Sequence, residues 1–61
     1  MKYSVMVHAI GEDDEAAFVG ITSVWADTQN DARRFAVEEL WDERLTSAGC
    51  RAVAAVIGCV S

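Results

Sequence analysis

The residue types able to do chemistry in this 61-residue sequence are two cysteines, one histidine and ten acids. Cys50 and Cys59 stand at the two ends of a stretch whose single charged residue is Arg51. If that stretch is one continuous strand, nine steps of about 3.3 Å hold the cysteines nearly 30 Å apart. A disulfide needs α-carbons within about 7 Å, so the two thiols are expected to remain unbonded, acting as small hydrophobes. Two cysteines and one histidine also fall short of the four ligands of a structural zinc site, and no metal or cofactor is expected. A cysteine nucleophile activated by His8 would need a third group to orient the imidazole, and the sequence offers none. His8 is expected instead on the uncovered face of a strand, and no catalytic residue is assigned.

The acids are the more informative set. Glu38, Glu39, Asp42 and Glu43 recur at helical spacing, and Glu12, Asp13, Asp14 and Glu15 are consecutive. Paired carboxylates do acid–base work when a pocket drives their pKa values apart, and a chain this short has little material for such a pocket. Two readings stay open: a solvated helix face, or an acidic recognition stripe that also takes in Asp27 and Asp31. Like charges four apart on a helix are mildly destabilising, so tolerating them implies a gain in solubility or in recognition.

Charge narrows the partners. Ten acids against five bases give a net charge of −5. Such a chain repels nucleic acid, whose binding relies on lysine and arginine neutralising phosphates, and it repels anionic membrane surfaces too. The four glycines, at 11, 20, 49 and 58, are scattered and form no phosphate-binding loop. A positively charged protein surface is the natural counterpart. No segment resembles a secretion signal or a membrane helix, so a cytoplasmic location is expected.

The elements that must position these residues follow from periodicity. Sixty-one residues make a single domain, 1–61, and 52% apolar content suffices for a core. Lys2 to Ile10 alternates as a half-buried strand, with Tyr3, Val5, Val7 and Ala9 on one face and Met6 and His8 on the other. The acids Glu12–Glu15 form an exposed connection to a second strand, Phe18 to Ala26, in a hairpin. Thr28, three residues before Asp31, opens a helix as a capping residue. No glycine interrupts the chain from Gln29 to about Ser47, which predicts one continuous helix of roughly five turns, ended by Gly49. Cys50 to Val60 is a third strand, apolar on both faces.

Strand, strand, helix, strand predicts an α+β fold. Its three-stranded antiparallel sheet has order 2-1-3, and one helix packs on one face. Ala32, Ala36 and Leu40 must point inward with Val5 and Val7. Two helix registers remain, one burying Phe35 and one burying Val37 and Trp41. The second is favoured, because the first would draw Glu39 and Glu43 into the core. The other sheet face is left open. Met6, His8 and one face of the third strand are expected there, with Trp25 joining them if the hairpin register allows, and a monomer or weak dimer through that face is anticipated.

As a whole, a small acidic chain with this order of elements and a helix capped at Thr28 resembles the phage-encoded anti-CRISPR proteins that inhibit type I systems. Some of those present carboxylates where DNA phosphates would sit on the Cascade surveillance complex. The resemblance implies a DNA-mimicking inhibitor in the host cytoplasm, with Glu12, Asp13, Asp14, Glu15, Glu38, Glu39, Asp42 and Glu43 as partner-binding residues. Met1-Lys2-Tyr3 with the acidic tip, followed by Ala26-Asp27-Thr28 and Asp31-Ala32, also looks like the opening of HicB-type antitoxins, which carry an extra strand and a further DNA-binding or dimerising segment. A small subunit completing a larger assembly is a third binding role. A thiol-dependent enzyme using Cys50 or Cys59 is the alternative from another class.

Overall fold

The strict alternation of the first strand sets the architecture. In the computed structural model, which describes residues 1–60, β1 (Lys2–Ile10) buries Tyr3, Val5, Val7 and Ala9 and leaves the residues between them half-covered. β1 pairs antiparallel with β2 (Ala16–Trp25) on one side and with β3 (Arg51–Val60) on the other, giving the order β2-β1-β3. Between β2 and β3 the chain forms α1 (Gln29–Leu40) and α2 (Glu43–Ser47). The fold is therefore α+β with an open three-stranded sheet, as the sequence pattern predicts.

α1 begins where Thr28 Oγ1 accepts the Asp31 N–H at 3.1 Å, satisfying a first-turn amide. Ala32 and Ala36 are fully buried against the sheet, and these two short side chains let the helix lie close to Tyr3, Val5, Val7 and Val24. Val37 and Leu40 pack at the margin of this cluster while Phe35 is 37% exposed, so the register burying the Val37 side is the one adopted. Leu40 is half-buried rather than enclosed, and it lies over Gly20, where an added Cβ would come within 3.3 Å of its Cδ1.

One expectation is corrected. The chain from Gln29 to Ser47 is not a continuous helix; it breaks at Trp41 and Asp42, both extended. Asp42 supplies the reason, since its Oδ1 accepts the Arg44 N–H at 2.9 Å and caps a new short helix. A short acidic side chain that satisfies a nearby amide competes with continued helix. Trp41 bridges the break: its N–H donates to Val37 O at 2.8 Å and its indole Nε1–H to Thr46 Oγ1 at 2.7 Å. Strand limits shift slightly as well, β2 opening at Ala16 and β3 at Arg51.

Two irregularities shape the edges. The β1–β2 register slips between Val7 and His8, leaving Val19 as the extra residue, and the β1–β3 register slips between Ser4 and Val5, leaving Ile57. A glycine follows each extra residue, Gly20 and Gly58. Among the described residues no helix is long and apolar enough to cross a membrane.

Candidate functional site

The acidic connection is a tight turn. Gly11 N–H donates to Glu15 O, Asp14 N–H donates to Gly11 O, both at 3.0 Å, and Asp14 adopts a left-handed φ of 60°. Asp tolerates that conformation because its side chain can bond locally. All four acids are exposed, and none forms an ion pair among the described residues. Glu12 lies against the turn that follows α2: a Cβ on Gly49, whose φ is +78°, would fall 2.5 Å from Glu12 Oε1.

The helix acids are differently placed. Leu40 meets Gly20, and Asp42, Arg44 and Leu45 line a cleft with Ala9, Ala17, Phe18 and Val19. α1 thus runs toward the hairpin end, and Asp42 and Glu43 share that end with Glu12–Glu15. Asp42 is already committed, capping α2 and pairing with Arg44 Nε at 3.4 Å. Glu39 Oε1 accepts from Thr22 Oγ1 at 3.0 Å on the flank of β2, while Glu38 is exposed without such a partner. Asp27 and Asp31 belong to the opposite end, lining a cleft with Met1, Trp25, Ala26 and Phe35. Asp31 there pairs with Arg34 at 3.3 Å, and Arg34 stacks over Phe35 at 5.3 Å. The wider stripe weighed from the sequence therefore divides between the two ends. The concentrated part is the turn: outside Glu12–Glu15, six acids face five bases.

The candidate thiol chemistry is dispersed. Cys50 and Cys59 are both free, but neither is a buried hydrophobe as expected: Cys50 is half-covered and Cys59, near the end of the outer strand β3, is exposed. Cys59 lies opposite Tyr3, in register with the helix-covered face, whereas His8 stands on the other face, edge-on to Phe18 with ring centroids 5.8 Å apart. Among the described residues no group of three or more His, Cys, Asp or Glu is disposed to hold a metal.

The second surface feature is the open sheet face. Phe18, Ile21, Trp25, Val53 and Val60 are 60%, 53%, 68%, 41% and 63% exposed. Lys2 Nζ sits 6.0 Å from the Trp25 ring centroid, and Ser4 and Ser23 hydroxyls approach each other at 3.5 Å. Met6 and His8 lie on this face as the strand alternation anticipated, and the β1–β2 register, which the sequence left open, brings Trp25 to it and gives the face its breadth. Compared with protein-family models, with curated proteins and with solved structures, the chain matches none.

Proposed function

We propose that this protein is a non-catalytic inhibitor that binds a basic protein surface and keeps nucleic acid from it. The observation that carries this reading is the turn Glu12–Glu15, four adjacent carboxylates exposed at one tip and free of ion pairs among the described residues. Asp42 and Glu43 extend the negative surface at the same end, and Glu38 and Glu39 continue it along α1. Carboxylates at this density meet a groove lined by lysine and arginine as phosphates would, and they speed encounter in a salt-dependent way. The resemblance to type I anti-CRISPR proteins names the target class: the DNA-binding groove of a Cascade-type surveillance complex in the bacterial cytoplasm. No metal or cofactor takes part, and the chain itself does not contact nucleic acid.

Exposed single charges contribute about 0–1 kcal/mol each, so the test reverses several together. One variant carries Glu12, Asp13 and Glu15→Lys with Asp14→Asn, which respects the left-handed backbone at that position. The other carries Glu38, Glu39, Asp42 and Glu43→Lys. DNA binding by the purified surveillance complex is measured with each variant at low and moderate salt. The turn variant is expected to lose inhibition and the helix variant to weaken it, because Glu39 and Asp42 already have partners within the chain. Undiminished inhibition by both variants overturns the reading.

A further inference from the structure

We propose that the open sheet face is the interface of a symmetric homodimer in which two copies pack face to face with their strands antiparallel. The proposal does not rest on the inhibitory role, since the apolar face it uses lies opposite α1 and the acidic turns touch it only at the rim.

Cross-strand pairing arranges this face in rows. Trp25–Lys2–Val60 stands at one end, followed by Ser23–Ser4–Gly58, Ile21–Met6–Ala55, Phe18–His8–Val53 and, nearest the acidic turn, Ala16–Ile10–Arg51. The small row Ser23–Ser4–Gly58 stands on one side of the middle row, and the bulky row Phe18–His8–Val53 on the other. A twofold axis running across the strands through Ile21, Met6 and Ala55 keeps β2 over β2 and reverses strand direction. Phe18 then lies over Ser23 of the second copy, Trp25 over Ala16, and Val53 over Gly58. These three protrusions meet small residues, which favours interdigitation of two sheets packed about 10 Å apart, while Ile21 and Met6 meet their own counterparts on the axis. The other face-to-face choice, an axis along the strands, sets Phe18 against Val53 and Ser23 against Gly58. Bulk then meets bulk, and a void opens beside it.

Charge selects the same arrangement. None of these rows contains an acid; their charged residues are Lys2 and Arg51, with His8 the remaining titratable one. With strands antiparallel, the turn Glu12–Glu15 of each copy arrives at the end of the other that carries Lys2 on this face, Asp27 and Asp31 of that end lying in the cleft with Phe35 of α1. With the axis along the strands the two turns come together, bringing eight carboxylates to one end. The polar groups within the face do not forbid burial, since Ser4 and Ser23 hydroxyls can bond to each other.

The area is adequate. Side chains of this size, exposed as far as Phe18, Ile21, Trp25, Val53 and Val60 are, give the face roughly 600 Å² per copy. Two faces together reach about 1,200 Å², the lower limit of stable interfaces, whereas a patch of that size is at the upper end for a monomer.

Sedimentation of the purified chain at about 100 μM, above the micromolar dissociation constants expected of so small an interface, should give a dimer. Ile21→Lys should give a monomer with an unchanged far-ultraviolet spectrum, because Ile21 is exposed in the single chain. Lys2→Glu should weaken dimerisation about tenfold through the two rim contacts it reverses. Orientation is read by a short bismaleimide in a Cys50→Ser, Cys59→Ser background. Ile21→Cys should join two copies, because Ile21 lies on the axis, and Phe18→Cys alone should not. A mixture of Phe18→Cys and Ser23→Cys chains should join. A monomer at the stated concentration overturns the proposal. So does a dimer whose Ile21→Cys chains fail to join, which would mean the other axis or an edge-to-edge pairing. The crosslinking arm stands even if Ile21→Lys fails to fold.

Discussion

β1 presents Val5 and Val7, fully buried, to the helix and Met6 and His8, half-covered, to the other side. The residues alternate along one strand, share its backbone bonding and differ only in what lies above them. On the helix side, Ala32 and Ala36 bring α1 down onto the sheet, so valine-sized side chains suffice to fill the gap. On the open side the larger residues Phe18, Ile21 and Trp25 stand in solvent with nothing of this chain to cover them. The contrast teaches that size and burial have separated in this domain. Apart from Tyr3, small residues hold the fold, and the large ones stand exposed on the open face.

The contrast breaks most severely at Ala36. Ala36→Asp places an unpaired carboxylate where the residue is fully buried, and a cost of about 3 kcal/mol or more should leave so small a domain largely unfolded by circular dichroism. Matched threonines at neighbouring positions sharpen it. Val7→Thr should cost about 2 kcal/mol in urea unfolding through its buried hydroxyl, while Met6→Thr should change stability by less than about 0.5 kcal/mol in dilute solution. Equal losses at the two positions would mean that the open face is buried within the monomer. At the acidic end, Gly49→Ala should cost about 1–2 kcal/mol from its left-handed backbone, and adding Glu12→Ala should recover only the part due to collision with Glu12. The smallest of the expected losses, Met6→Thr aside, is at the helix start, where Thr28→Ala should cost about 1 kcal/mol by leaving the Asp31 N–H without its acceptor.

Much of this was legible in the residues. The period of two in β1 reported its buried face, and Thr28 marked the helix start. The order 2-1-3 follows from a hairpin and a returning helix. The helix break was not read, although Asp42 carried the signal: an acid followed by Glu43 and then Leu45 reads as a cap opening a new turn as well as it reads as helix interior. Without glycine or proline nearby, only the competition between capping and continuation decides, and that depends on where the sheet lets the chain turn. The register slips beside Val19 and Ile57 were signalled by Gly20 and Gly58, since glycine inside a strand often marks such a place. For the site, the run Glu12–Glu15 was plain, but its separation from Asp27 and Asp31 was not. That separation depends on α1 spanning the sheet from one end toward the other.

The place of β1 between its two neighbours has a consequence for the order of folding. Lys2 pairs with Val60, so β1 gains its second neighbour only once β3 is present. The hairpin of β1 and β2 can form early, but two strands in isolation are at best marginally stable. α1 has no complete surface to settle on until β3 arrives, and closing that long loop must precede the contacts that reward it. A nascent chain that has not yet reached β3 is therefore expected to stay open, and folding is expected to be cooperative once β3 is present.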